Sequence, residues 1–412
     1  MRENDLRIIA NTEDYFHIQI FIPIGSIHEK KGQYGISHFL EHIKFNKSKK
    51  YDIDIMRNKN GKYLSNAYTT LDHTSYYLTS NENNIEKIIN LINEIVFNTQ
   101  FTKNEIEIER KIVLAEKIYR NQNEIVSNDI SIYHDKNPYN RSVIGNVKDL
   151  KKITNRDLKK YNEQYINDFF VFVSCSKKNV NKIKKLCLKI LPTSIKNDIV
   201  PLRNINLFNY ELIIRDNIKE KTLLKFNFKT FNSTDSDYNY LDFFNYIISN
   251  NKESKLIKLL REQKGLIYKL ETSNGTFLNN GFFILEIVLN TNTNVKNVIE
   301  LILKEFNKLK QEELNKTDFE NYKKNYLNYL NLKFKNYQYF IEFYSNKLFL
   351  NPDFKIEPYL NNIKKIKSHK MLDVFNKILN FYQMNIVIYG NFKNINGTHK
   401  QIYNVIEKMR KV

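Results

Sequence analysis

At 412 residues, with a formal net charge of +20 and a sequence pI near 9.4, the chain is long enough for two domains with sizeable cores and basic enough to raise the question of an anionic partner. The lysines are spread along it, with local clusters only at 47–50 and 182–185, and no nucleic-acid-binding motif accompanies them, so a nucleic-acid partner is not expected. No stretch nears the roughly 20 apolar residues of a membrane span, the two cysteines (Cys175 and Cys187) make no disulfide framework, and Met1–Asp5 opens neither a signal nor a transit peptide; a cytoplasmic location without membrane attachment is expected.

Alternating apolar positions at Phe16, Ile18, Ile20 and Ile22 predict a strand. It leads into His38-Phe39-Leu40-Glu41-His42, an H-x-x-E-H string in an apolar, helix-like run. Residues three and four apart share a helix face, so two imidazoles and a carboxylate gather on one side. That set suits a zinc ion held by His38 and His42, with Glu41 left to act on a metal-bound water. The order reverses the better-known H-E-x-x-H. Taken alone, the five residues also suit a charged surface helix.

Strands are expected next at Ser65–Thr70 and Tyr76–Leu78, then a helix with Ile85, Ile88, Ile89, Ile92 and Val96 at helical spacing. The run from Asn104 to Glu116 reads as another helix. On it Glu109 and Glu116, seven residues apart, stack two turns from each other. A catalytic zinc usually takes three protein ligands. Glu116 is the candidate third, with Glu109 behind it to orient a histidine; spacing alone equally allows two solvated carboxylates. A strand over Phe169–Cys175, with Cys175 as a packing residue, and a helix through Leu186 close the first half.

The second half repeats this order: a strand at Leu223–Phe228, helices around Tyr238–Leu260, a strand at Gly281–Leu289, and a helix carrying Val295, Val298, Ile299, Ile302, Phe306 and Leu309. Phe101–Lys103 matches Asn315–Thr317 in position, Asn137-Pro138 matches Asn351-Pro352, and Phe170–Val173 matches Ile386–Tyr389, all roughly 215 residues apart. The expected fold is therefore α+β, with two duplicated domains, each a mainly antiparallel sheet with helices packed on it. The domains are placed at 1–195 and 207–412, with a linker at 196–206 where Pro192 and Pro201 bracket a polar stretch. The second copy has no H-x-x-E-H, and His17, His28, His73, His134, His369 and His399 are assigned to no metal.

These motifs resemble the inverzincin peptidases, the group containing pitrilysin, insulin-degrading enzyme and mitochondrial processing peptidase. Besides H-x-x-E-H, the resemblance is carried by Gly25-Ser26, Glu29, Gly32 and Tyr34–Ser37 ahead of it, and by Ser65–Thr70, Thr74, Tyr76 and Tyr77 after it. Glu109-Arg110 with Glu116, 74 residues past His42, fits the third-ligand segment, and Pro138, Gly145 and the run to Ile153 fit the close of the first domain. In the second half, Arg261 and Tyr268, seven apart within Leu259–Tyr268, resemble the family's Arg…Tyr element. The resemblance covers nearly the whole chain.

It implies a zinc-dependent endopeptidase with one zinc per chain on His38, His42 and Glu116, and Glu41 as the base. Arg261 and Tyr268 would hold the substrate backbone and steady the developing oxyanion. Ser65, Asn66, Ala67, Tyr68 and Thr69 would form an edge strand that pairs with a peptide. It further implies a half-clamshell unit that pairs, as a homodimer or as a heterodimer with a related subunit, to enclose a chamber. There Arg261 and Tyr268 of one protomer would serve the zinc of the other. Unfolded peptides or short protein segments are the implied substrates, with leader or processing cleavage as one use. The alternative within the family is a catalytically inactive peptide-binding or scaffold subunit, against which the intact residue set argues. Departures at Ile43 and over 46–50 concern specificity rather than the core chemistry.

Overall fold

The computed structural model describes residues 1, 3–12, 15–47, 64–97, 100–123, 138–195, 211–216, 221–277, 280–392 and 394–411; the expected linker, His134 and the lysines at 49–50 lie outside them. The described residues fall into two compact units, one up to residue 195 and one from residue 211 on.

In the first unit the strands are β1 (Leu6–Asn11), β2 (Tyr15–Ile22), β3 (Leu64–Thr69), β4 (Thr74–Asn81) and β5 (Phe170–Ser176). They form one sheet in the order β1-β5-β2-β4-β3, parallel only between β1 and β5. The period-two pattern of β2 decides what each face does. Phe16, Ile18, Ile20 and Ile22 all point to the helical side. There they pack with Phe39, Leu40 and Ile43 of α1 (Ile36–Lys47), Ile88 and Ile92 of α2 (Ile85–Phe97), Ile106 and Val113 of α3 (Lys103–Asn123), Leu158 of α4 (Asn155–Tyr165) and Ile183 of α5 (Val180–Ile190). Each such side chain taken from water contributes roughly 1.5–3 kcal/mol before entropy is counted.

The alternate positions of β2 are buried too but polar in part. His17 Nδ1 meets Thr79 Oγ1 at 2.7 Å, and Gln19 Nε2 donates to Ser75 Oγ (2.7 Å) and to the Tyr68 hydroxyl (3.2 Å). This polar ladder satisfies groups that burial would otherwise penalise, and it ties the edge strand β3 to the middle of the sheet.

The second unit has the strands β6 (Glu211–Asp216), β7 (Leu223–Lys229), β8 (Ile267–Thr276), β9 (Gly281–Leu289) and β10 (Met384–Gly390), in the order β6-β10-β7-β9-β8, parallel only between β6 and β10. Its helices include α6 (Leu241–Ser249), α7 (Val295–Gln311), α8 (Lys316–Phe334), α9 (Tyr337–Leu350), α10 (Ile356–Lys365), α11 (Ser368–Ile378) and α12 (Ile395–Arg410). Strand for strand, the two sheets share one topology, as expected for a duplicated α+β domain. Each is mixed, with one parallel pairing in an otherwise antiparallel sheet. Both parallel edge strands, β1 and β6, and the polar strand β8 were absent from the sequence expectations.

Candidate metal centre

The centre is built on α1, whose start is fixed from three sides. Glu29 accepts from the backbone N–H of Gly35 (2.7 Å) and of Ser37 (2.9 Å), which satisfies N–H groups the helix cannot pair itself and sets a carboxyl at its positive end. Gly35 (φ 99°) and Gly145 (φ 81°) bring two backbones into contact: a Cβ on Gly35 would lie 2.3 Å from the Ile144 carbonyl oxygen, and one on Gly145 2.1 Å from that of Tyr34. Ser37 Oγ and the Tyr161 hydroxyl of α4 share a hydrogen bond of 2.6 Å.

The helix α3 is set against α1 just as firmly. Thr102 and Glu105 cap its first turn reciprocally. Arg110 lies over the Phe39 ring at 5.3 Å and donates to the carbonyls of Leu150 and Ile153. On the face turned to α1, Ile106 and Val113 are buried and alternate with Glu109 and Glu116.

The result is convergence. His38 Nε2 lies 3.8 Å and His42 Nε2 3.4 Å from one atom, Glu116 Oε2. Ligands about 2.0–2.1 Å from a tetrahedral zinc stand about 3.3 Å from one another, so the two separations from Glu116 are close to the spacing the ion requires. His42 turns its other nitrogen, Nδ1, toward Glu109 Oε2 at 3.6 Å. Glu41 stands beside the trio, with ligand atoms of His38, Glu41 and His42 all within 4.8 Å of one another. Two carboxylates thus compete for third place. Glu116 is favoured because its oxygen faces both Nε2 atoms, whereas Glu41 accepts a bond from Thr69 Oγ1 at 3.3 Å. The His42 and Glu116 side chains keep 20% and 24% of their surface open, against 9% for His38, leaving an approach for water.

Electrostatics point the same way. Burial pushes the Glu41 pKa up to about 7, opposed by the charge on His42 and the Thr69 bond and reinforced by Glu116 and Glu109. For His42, burial lowers the pKa, yet the neighbouring carboxylates of Glu109, Glu116 and Glu41 outweigh it and hold the imidazole up at about 9. The pocket therefore favours positive charge where the trio converges, as a cation site must. By spacing, donor chemistry and charge, these residues fit a zinc ion.

Strand β3 carries Ser65, Asn66, Ala67, Tyr68 and Thr69, and β4 is its one partner among the described residues. Ala67 packs on the core, which puts Ser65 and Thr69 on the α1 side and Asn66 and Tyr68 on the other. The outer edge of β3 thus runs beside Glu41. His73 is held by Asp72 (2.8 Å) and edges against Tyr68, a structural role.

Arg261 and Tyr268 lie in the second unit, each at a break in regular structure. Arg261 sits in a π-helical turn, Lys258–Gln263. Tyr268 is the residue skipped in the pairing of β8 with β9, where Ile267 faces Leu289 and Lys269 faces Val288. Between them Gly265 takes φ 61°, its carbonyl bound by Asn290 Nδ2 at 2.7 Å. π-turns and bulges often re-aim side chains at functional sites. Tyr268 is 62% exposed, with Lys221 Nζ 4.5 Å from its ring centre. Lys221 and the capping role of Glu29 had no part in the sequence expectations, since neither burial nor a contact across a sheet can be read from spacing.

A mixed five-stranded sheet with helices on it, built twice, with an inverted histidine–glutamate centre on the first copy alone, defines a metallopeptidase-like class. The chain belongs to peptidase family M16, whose members are usually zinc metallopeptidases: residues 8–145 match the insulinase (peptidase family M16) model and residues 152–326 the peptidase M16 inactive domain. Among curated relatives it is 27% identical over 218 residues to the zinc protease PqqE of Helicobacter pylori, covering 46% of this chain and 48% of that protein. It is 26% identical over 248 residues to the beta subunit of the mitochondrial-processing peptidase of Dictyostelium discoideum, covering 57% and 52%. The matches thus span about half the length of these relatives. Among solved structures, a protease from Helicobacter pylori superposes with a TM-score of 0.82 at 19% identity over 93% of this chain and 96% of that one, a likeness of fold. Among the described residues no helix is long and apolar enough to cross a membrane.

Proposed function

We propose that the chain is a zinc-dependent endopeptidase cleaving unfolded peptides or short protein segments. The observation that carries this reading is the convergence of His38 Nε2 and His42 Nε2 on Glu116 Oε2 with Glu41 alongside. His38, His42 and Glu116 would hold the zinc, one per chain, and Glu109 would hold His42 in orientation. Bound there, zinc supplies a Lewis acid and lowers the pKa of water. Glu41 takes the proton of the attacking water on its carboxylate and returns it to the leaving amine. The outer edge of β3 takes the peptide backbone as an added strand, which selects extended chains with little demand on side chains. Arg261 and Tyr268 hold the peptide and donate to the carbonyl oxygen as charge develops on it.

In the same proposal two chains pair to enclose a chamber, and Arg261 and Tyr268 of one protomer serve the metal centre of its partner. Enclosure would also protect the exposed edge of β3. Leader or processing cleavage is the use this favours. A related subunit in place of a second copy is the competing assembly, since one similar protein is named as a subunit of a processing peptidase.

The test is zinc content and hydrolysis of a mixed peptide library for the wild type and Glu41→Gln, with mass in solution. About one zinc per chain in both, and cleavage by the wild type alone, is expected. Zinc without cleavage by a monomer would point to a missing related subunit. Absence of zinc from both would replace the reading with the inactive scaffold.

A further inference from the structure

We propose that Lys221 selects peptides carrying a carboxylate at the element formed by Arg261 and Tyr268. The inference rests on the reading of those two residues as the peptide-holding element.

The placement is specific. Thr222, next to Lys221 at the start of β7, accepts from the Leu289 N–H at 2.9 Å, which fixes this end of β7 against the end of β9. From there Lys221 reaches past β9 to β8 and rests its ammonium on the Tyr268 ring, 4.5 Å from the centre. The contact is a cation–π interaction, weak at an exposed site but directional. It holds a lysine that would otherwise sweep freely at one point beside the phenol. The backbone of Gly265 and Leu266 folds back onto Arg261 and Leu260 (3.1 and 2.8 Å), and Thr293 Oγ1 adds a bond to the Leu266 carbonyl at 3.2 Å. The loop joining Arg261 to Tyr268 is therefore pinned as well.

Charge decides what such a place accepts. Lys269, the next residue along β8, is answered locally by Glu271 at 2.7 Å. Lys221 and Arg261 are both exposed, and among the described residues no carboxylate lies within 4.0 Å of either. The Lys221 ammonium with the Tyr268 phenol beside it makes a spot for an anion, and the anion a peptide offers is a carboxylate. An aspartate or glutamate side chain and a free C-terminus are its two sources. The chain's formal charge of +20 adds long-range attraction for the same substrates.

The experiment measures binding to Glu41→Gln protein by fluorescence anisotropy, so that cleavage does not intervene. The probes are labelled short peptides in matched pairs, Asp/Glu against Asn/Gln, each as free acid and as C-terminal amide. The acidic member is expected to bind about two- to fivefold more tightly, the range of an exposed ion pair, and to lose that advantage as salt is raised. Lys221→Met should abolish the preference and Lys221→Arg keep it; a packing role would not distinguish methionine from arginine. Tighter binding of the free acids than of the C-terminal amides, whatever the side chain, assigns the C-terminus as the source, and a preference for Asp/Glu over Asn/Gln that persists on amidation assigns the side chain. Equal binding of all four peptide forms, acidic or amide in the side chain and free acid or amide at the C-terminus, or an unchanged preference in Lys221→Met, would overturn the inference while leaving the parent reading intact. That reading is tested separately by Arg261→Ala and Tyr268→Phe, which should weaken every peptide. If they weaken none, or if no peptide binds at all, both fall together.

Discussion

Thr69 Oγ1 donates to Glu41 Oε2 at 3.3 Å, joining the last residue of the edge strand to the carboxylate beside the metal centre. One bond thus couples the strand proposed to hold the peptide with the group proposed to move the proton. Thr69→Val keeps the shape and removes the hydroxyl. Zinc content should be unchanged and kcat should fall about tenfold, near the value of one hydrogen bond to a charged group, with little change in KM. Thr69→Ser should restore most of the loss. A variant that loses zinc, or moves only KM, would deny Glu41 this positioning bond.

Glu109 and Glu116 of α3 should separate on metal affinity. Glu116 faces both Nε2 atoms, whereas Glu109 faces only the far nitrogen of His42. Competition with a chelator should find the site empty in Glu116→Gln and roughly 10- to 100-fold weaker in Glu109→Gln, the usual cost of losing an outer partner. Zinc lost from Glu41→Gln but kept by Glu116→Gln would exchange the roles of the two glutamates.

How much of this is legible in the sequence follows from range. His38, Glu41 and His42 share a face because helix geometry puts them there, and Glu109 and Glu116 stack for the same reason. The core-facing alternation of β2 is equally local, and the duplication is visible because equivalent segments keep their spacing. β1 and β6 escape notice since each offers only a few apolar residues, Leu6, Ile8 and Ile9 in the first and Leu212-Ile213-Ile214 in the second, too short a pattern to mark an edge strand. β8 hides behind Lys269, Glu271, Thr272, Ser273 and Asn274, which read as a loop. The π-turn at Arg261 and the skipped pairing at Tyr268 each add one residue to a regular element, and a single insertion leaves no trace in the hydrophobic period. Lys221 meets Tyr268 only through the sheet, across 47 positions of chain.

Gly145 and Gly32 provide a controlled comparison of strain with crowding. Both have positive φ, 81° and 89°, but a Cβ at Gly145 would meet the Tyr34 carbonyl oxygen at 2.1 Å, while one at Gly32 meets nothing within 4 Å. Gly32→Ala should cost about 1 kcal/mol, the price of the backbone conformation alone. Gly145→Ala must also push the Tyr34 and Gly145 backbones away from each other and should cost about 3 kcal/mol or more, with weaker zinc binding because the start of α1 moves. Urea denaturation of the two variants checks this, and equal losses would show that the contact between Gly35 and Gly145 does not hold α1 in place.

His17 should set some of the acid sensitivity of the first domain. Burial lowers its pKa to about 4 from an ordinary 6.5, against the bond to Gln19, so the native imidazole stays neutral over a range where the unfolded chain takes up a proton. Between pH 6.5 and 4 the unfolded state binds more protons, and stability must fall as pH falls. The difference of 2.5 in pKa, at 1.36 kcal/mol each, gives up to about 3 kcal/mol at the acid end. Glu29, which burial raises to about 8, acts in the opposite sense: its contribution is lost as pH rises from 4.5 toward 8. Subtracting the stability of His17→Gln from that of the wild type at each pH isolates the histidine, since Glu29 is common to both. The difference should grow in favour of the wild type from pH 4 to 6.5 and then level off. A flat difference across that range would mean that His17 keeps its ordinary pKa in the folded protein.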